Sequence, residues 1–260
     1  GNSFTCKKLD PQNVLSLEDV VMIALCNNPK TTIAWQTSLY QASLVGVSEA
    51  SFFPTLSANG SIAATEGSDT KNTRQKTASL TFSYLLYDFG KRDATLENAK
   101  QLLKAATYAK DDTIQALFFS AVQAYYGLFG ANASLEAARE AEIAAKESLN
   151  AAKTRYSIGT ATPADTLQAQ TAYSQATLNR IRAQGNVKNA QGTLASILGA
   201  SPDTSLQLSA PSLEVPSEAF DRNIQILMEE SLKARPDLLA AQAKIEAYRA
   251  NIEAAKAEDK

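Results

Sequence analysis

The sequence predicts a mainly α-helical chain interrupted by one β-hairpin of membrane-spanning length. Two observations predict the hairpin and a third predicts the helices. In residues 55–65, Leu56, Ala58, Gly60, Ile62 and Ala64 alternate with Thr55, Ser57, Asn59, Ser61, Ala63 and Thr65. In residues 77–86, Ala78, Leu80, Phe82, Tyr84 and Leu86 alternate with Thr77, Ser79, Thr81 and Ser83. A period of two marks a strand whose sides meet different surroundings, and about ten residues match a tilted strand that crosses a bilayer. From Lys91 to Ser157, by contrast, there is no proline, the only glycines are Gly127 and Gly130, and strong helix formers dominate. One continuous helix there would be on the order of 100 Å long, more than a compact domain of this mass accommodates. Two or three shorter helices broken near Gly127–Gly130 are the alternative.

The remaining elements follow in chain order. Residues 1–15 read as irregular. Ser16, ahead of Glu18 and Asp19, is a candidate N-cap for a short helix from Leu17 to Cys26. Asn27, Asn28 and Pro29 interrupt it, and Pro29 can open the next helix, expected to run to about Ser51. Phe52-Phe53-Pro54 then leads into the first strand. Glu66–Lys76 reads as a polar loop and Tyr87–Gly90 as the exit from the second strand. After the long helix, Gly159 fits a C-terminal cap and Pro163 a first helical turn. The helix after it runs to about Leu198, and Leu167, Thr171, Ser174, Leu178 and Ile181 follow a coiled-coil seam with small or polar members. A linker at 200–216 contains Pro202, Pro211 and Pro216; a short helix follows to about Ala234, and Arg235-Pro236 opens the last one. Four segments result: 1–51, 52–90, 91–199 and 200–260.

Composition excludes several function classes. A net charge of −2 over 260 residues gives no reason to expect nucleic acid as a partner. With no histidine, Ser–His–Asp and Cys–His catalysis and the common zinc sites are absent. No catalytic, cofactor-binding or metal site is expected. Gly46-Val47-Ser48-Glu49-Ala50 lacks the last glycine of a nucleophile elbow, and Glu136, Arg139, Glu140, Glu142 and Lys146 read as a solvated helix face. Cys6 and Cys26 are too few for a disulfide framework; one bridge, two free thiols and lipidation near Cys6 all stay open. No stretch reaches the roughly 18 apolar residues of a transmembrane helix, so any membrane crossing uses strands. The start shows no signal peptide, which for such a protein implies a mature or trimmed chain.

Short helix, proline, long helix occurs twice, with Leu25–Pro29 paralleling Leu232–Pro236 at an offset of about 207 residues. On that offset Lys260 corresponds to Phe53, so a second pair of strands would come next in a protein nearly twice as long.

Four local motifs, in this order and spacing, carry a family resemblance. They are Ala24-Leu25-Cys26-Asn27-Asn28-Pro29, Phe52-Phe53-Pro54-Thr55-Leu56, Tyr87-Asp88-Phe89-Gly90-Lys91-Arg92, and Arg155-Tyr156-Ser157-Ile158-Gly159 followed by Asp165, Leu167, Ala169 and Gln170. From about Leu17 to Lys260 the chain resembles the TolC family of trimeric outer-membrane efflux and secretion channels. The fold so implied is mainly α with a membrane β-hairpin. Long antiparallel coiled-coil helices build an α-barrel, which is joined to a trimeric β-barrel. Each protomer would give four strands to a barrel of twelve, and the short helices would form a belt. The resemblance implies a passive exit duct in the outer membrane of a Gram-negative bacterium, extending into the periplasm. Its implied partners are two further copies in a homotrimer, a periplasmic adaptor (membrane fusion) protein, an inner-membrane transporter and outer-membrane lipid. A periplasmic coiled-coil adaptor or scaffold is the alternative.

Roles are then expected residue by residue. Leu56, Ile62, Leu80, Phe82, Tyr84 and Leu86 would face lipid, while Ser57, Asn59, Ser61, Thr81 and Ser83 would line a wet lumen. Phe52, Phe53, Tyr87 and Phe89 lie where the strands meet their helices, as an aromatic girdle would; an ordinary core cluster is the plainer alternative. By resemblance, Arg155, Tyr156, Gly159 and Asp165 belong to the periplasmic tip that meets the adaptor. Arg155 and Asp165 would hold the turn together or pair with a neighbouring hairpin.

Overall fold

The computed structural model describes residues 13–65, 73–210 and 233–258. In chain order the elements are β1 (Val14–Leu15), α1 (Leu17–Asn27), α2 (Pro29–Ala50), β2 (Thr55–Thr65), β3 (Thr73–Ser83), α3 (Lys91–Ser157), α4 (Pro163–Ile197), β4 (Gln207–Leu208) and α5 (Pro236–Glu258). α3 is a single helix of 67 residues, with no break at Gly127 or Gly130. Cys6 and the expected helix before Lys233 lie outside the described residues; Cys26 is disulfide-bonded.

The chain divides into two units, Gly1–Ile33 with Thr113–Arg222, and Ala34–Asp112 with Asn223–Lys260. In the first, β1 pairs in parallel with β4, Val14 opposite Gln207 and Leu15 opposite Leu208. Ser16 caps α1 through a capping box, its hydroxyl accepting from Asp19 N while the Asp19 carboxylate accepts from Ser16 N. The core gathers Val20 and Ile23 of α1, Tyr125 and Leu128 of α3, and Leu194 and Leu198 at the end of α4. Tyr125, 1% exposed, donates its hydroxyl to Ser209 O at 2.7 Å, so its polar end is satisfied where its ring is packed.

Asn28 closes this unit. It is 7% exposed; its Nδ2 donates to Ile197 O at 2.9 Å and its Oδ1 accepts from Lys30 N at 3.0 Å. One side chain thus caps the start of α2 and satisfies a carbonyl that the end of α4 leaves open. Next to it, Gly199 has φ +71°, and a Cβ there would lie 2.8 Å from Asn27 O. Glycine is required twice over, by the left-handed backbone and by the close approach.

The second unit holds the hairpin, most of α2, the start of α3, and α5. Asn98 of α3 donates to Ala247 O of α5 at 2.6 Å, and Ser38 of α2 meets Thr107 of α3 at 3.5 Å. The buried residues of α5 include Ala240, Ala243, Ala247 and Ala254. Their spacing of three, four and seven makes one face, and their small size lets helices approach closely while burying little area per residue.

Two sequence expectations need correction. The alternation predicts the second strand over 77–86, but it occupies Thr73–Ser83, so Tyr84 and Leu86 lie beyond it and Arg74–Lys76 belong to the strand rather than the loop. Proline chemistry explains the end: Thr55 pairs with Ser83, and Pro54, the next residue outward, has no N–H to extend the ladder. The seam spacing Leu167, Thr171, Ser174, Leu178 and Ile181 lies on the exposed side of α4. Thr166, Ala169, Tyr173, Thr177 and Arg180 are more buried, and Arg180 Nε reaches Glu142 Oε2 of α3 at 2.5 Å. How Arg155 and Asp165 hold their turn is described with the turn below.

Candidate functional site

The hairpin is built as two sided. β2 and β3 are antiparallel with Leu56 opposite Phe82, Ala58 opposite Leu80 and Gly60 opposite Ala78. These pairs share one face. Ser57 opposite Thr81, Asn59 opposite Ser79, and Ser61 opposite Thr77 share the other. The sorting by face is therefore kept across both strands. Among the described residues nothing covers either face: Leu56, Ile62, Leu80 and Phe82 are 67–76% exposed. Full burial of a side chain of this kind is worth about 1.5–3 kcal/mol, so the apolar face is suited to a surrounding that the described residues do not provide. Two strands also leave two edges of unpaired backbone groups.

The helix end of the hairpin carries Phe52, Phe53, Tyr87 and Phe89; the contacts there join Tyr87 to Phe89 and Arg92 to Phe52, while Phe53 is exposed. Tyr87 and Phe89 meet edge to face at 4.9 Å, and the Arg92 guanidinium lies 5.3 Å from the Phe52 ring centre. Arg92 also donates to Asp88 Oδ2 at 2.8 Å and to Ser51 O at 3.4 Å. It therefore ties the entry to β2 to the exit from β3. Phe89 (φ +54°) and Gly90 (φ +88°) are both left-handed and swing the chain into α3. Asp88 caps that turn, accepting from Gly90 N and Arg92 N. Partial desolvation opposes the charge on Asp88, but the Arg92 backbone N–H and guanidinium and the Gly90 N–H outweigh it and hold the carboxyl below the usual range.

The turn between α3 and α4 is closed by its own backbone. Gly159 N donates to Tyr156 O at 3.0 Å and Thr160 N to Arg155 O at 2.9 Å, with Gly159 at φ +76°. This is a Schellman motif. Thr162 then caps α4: its N and Oγ1 donate to Asp165 Oδ2 at 2.8 and 2.7 Å, and Asp165 N donates back to Thr162 Oγ1. Asp165 thus holds the turn through Thr162 and not through Arg155, because a capping carboxylate three residues into a helix already lies against its cap. Those bonds from the Thr162 backbone and hydroxyl hold the Asp165 carboxyl below the usual range. Arg155 contributes its carbonyl and a cation in the last turn of α3. Tyr156 and Ile158 are exposed.

Sequence reading missed Asn28 and Arg92 as side chains that join distant segments. Both sit inside motifs quoted above, but their partners, Ile197, Ser51 and Phe52, became visible only with the fold.

The family profile described as "Outer membrane efflux protein" matches residues 20–200. "Protein CyaE" of Bordetella pertussis is 29% identical over 248 residues, which cover 94% of this chain and 52% of that protein. "Toxin and drug export protein A" of Aggregatibacter actinomycetemcomitans is 30% identical over 246 residues, covering 92% and 52%. Among solved structures, the CmeC outer membrane channel of Campylobacter jejuni aligns with a TM-score of 0.78 at 23% identity, over 92% of this chain and 52% of that one. VceC of Vibrio cholerae aligns with a TM-score of 0.78 at 20% identity, over 93% and 58%. The chain spans about half the length of the curated relatives it matches. With the profile covering well over half of its residues, the chain belongs to the outer membrane efflux protein family.

Proposed function

We propose that this chain is part of a passive exit duct across the outer membrane and periplasm of a Gram-negative bacterium, serving a tripartite efflux or type I secretion system. The observation that carries this reading is the hairpin, with its exposed apolar face and its exposed polar face in one register. In hydrocarbon an open strand edge is not tolerated, and only a closed barrel satisfies it. Two strands cannot close one, so the barrel is completed by further strands of a longer protein and by two more copies in a homotrimer.

In that barrel, Leu56, Ile62, Leu80 and Phe82 face lipid, and Ser57, Asn59, Ser61, Thr81 and Ser83 face the lumen. Tyr84 and Leu86 carry apolar surface past the end of β3, into the girdle of Phe52, Phe53, Tyr87 and Phe89. The long helices line the periplasmic part of the duct. The turn bearing Arg155, Tyr156, Gly159 and Asp165 meets a periplasmic adaptor, which couples the duct to an inner-membrane transporter that supplies the energy. The duct works by geometry and needs no cofactor. The name of the Aggregatibacter relative makes drugs and protein toxins the first cargo classes to test.

Spin labels test the reading in the full-length protein in bilayers. Labels at Leu56, Ile62 and Leu80 should be relaxed by oxygen, and labels at Ser57, Asn59 and Thr81 by a water-soluble nickel chelate. Water contact or protein burial on both faces would end the case for a pore.

A further inference from the structure

The register places two cations on the wrong face for a lumen. Lys76 lies opposite Ile62 and Arg74 opposite Ala64, so both belong to the side that carries Leu80 and Phe82. Both are exposed, and neither is paired with any described carboxylate. At the bilayer midplane each such cation would cost about 2–4 kcal/mol, falling to about 0–1 kcal/mol near the interface. A lipid-facing Arg–Lys pair therefore belongs at headgroup level.

Strand geometry agrees. Arg74 and Tyr84 are ten residues apart. That is about 33 Å along an extended chain and about 25 Å of height at a tilt of roughly 40°, the height of the apolar band of an outer-membrane barrel. When the aromatic end of the hairpin, where α2 and α3 attach, lies in one interface, the cations reach the other. Alternate residues of a strand stand roughly 7 Å apart, so the two cations can grip one phosphate or two neighbouring ones, with the Arg fork binding bidentately.

We propose that Arg74 and Lys76 form a binding site for a phosphorylated lipid of the outer leaflet, whose phosphates they hold while its acyl chains lie along Ile62, Leu80 and Phe82. This rests on the membrane-hairpin reading and adds to it an anionic lipid partner at a defined height.

The test uses the full-length protein reconstituted in phosphatidylcholine bilayers containing a minor fraction of lipid A or of its dephosphorylated form, with co-purified lipid counted by native mass spectrometry. The parent should retain lipid A and discriminate against the dephosphorylated form. The double variant R74Q/K76Q should insert normally and retain on the order of tenfold less lipid A. The charge-preserving variant R74K/K76R should retain most of the parent's binding. Equal retention by parent and R74Q/K76Q, or indifference of the parent to the phosphates, overturns the proposal while normal insertion leaves the exit-duct reading standing. Failure of the parent itself to insert overturns both.

Discussion

Asn28 Nδ2 donates to Ile197 O at 2.9 Å, joining residues 169 positions apart in sequence, while Asn28 Oδ1 caps α2 through Lys30 N. Replacing Asn28 with Ala removes both bonds and strands a carbonyl in a buried place. The expected loss is about 1–3 kcal/mol of unfolding free energy, read from urea denaturation. Asn28→Asp keeps the cap to Lys30 but sets a buried carboxylate oxygen against Ile197 O in place of the donor, and should destabilise at least as much as Asn28→Ala near neutral pH. A midpoint unchanged by Asn28→Ala would show that the link contributes nothing.

Gly159 and Gly199 are both left-handed but differ in surroundings. A Cβ on Gly159 meets open space, whereas one on Gly199 would lie 2.8 Å from Asn27 O. Gly159→Ala should therefore lose only the left-handed penalty, about 1–2 kcal/mol. Gly199→Ala should lose more, because the backbone around Asn27 must also shift. Paired denaturation curves decide the order. A β-branched residue at Gly159 should in addition distort the turn and impair export; unchanged drug or secretion phenotypes for Gly159→Val would count against a role for that turn.

Asp165 carries a pH signature. Its carboxyl is lowered in the folded chain from the ordinary value of 3.8 by the Thr162 backbone and hydroxyl bonds. A lowered carboxylate stabilises the fold at pH above the unfolded value, and that contribution is lost as pH falls through the lower folded one. Asp165→Asn should abolish this part of the acid dependence and leave stability near neutral pH only slightly reduced. Carbon-detected NMR titration of Asp165 gives the sign directly: a midpoint at or above 3.8 contradicts the cap.

The two faces of the hairpin should respond unequally to charge. In the full-length protein, Leu80→Arg places a cation on the apolar face and should cost about 2–4 kcal/mol if the site lies near the midplane, seen as a loss of folded trimer in the outer membrane. Thr81→Arg, one residue on, should assemble normally and shift single-channel conductance or ion preference in planar bilayers. Equal tolerance at both positions would mean that the faces meet similar surroundings.

Arg92→Ala should loosen the base of the hairpin, since one guanidinium serves Asp88, Ser51 and the Phe52 ring. Faster hydrogen exchange in residues 88–95 is the expected readout. Lys91→Ala, which loses only an exposed ion pair with Glu258, should leave that exchange nearly unchanged.

The alternation at Leu56–Ala64 and Ala78–Phe82 was legible because each residue faces a single surrounding, so the pattern is written directly into the sequence. Where β3 stops was not, because pairing with Thr55 and the missing N–H of Pro54 set it from the other strand. The inward side of α4 was misread for a related reason. In a helix with alanine on several sides, Leu167 and Leu178 look like a seam, whereas the partial burial of Tyr173 and Thr177 and the reach of Arg180 to Glu142 identify the side turned toward α3. The caps at Ser16 and Thr162 sit within three residues of their partners; local motifs of this kind survive without a fold. Asn28 and Arg92 work across long sequence separations and do not.

The connection from Arg155 to Asp165 is tied from within, by main chain, one glycine, the Thr160 hydroxyl on Arg155 O, and the Thr162–Asp165 pair. Its outline is thereby decoupled from the chemistry of Arg155, Tyr156 and Ile158, whose side chains are spare. Such a loop behaves like a plug on a standard mount: evolution or an engineer can exchange those three side chains to change what it fits, and the socket side of the molecule need not be redesigned.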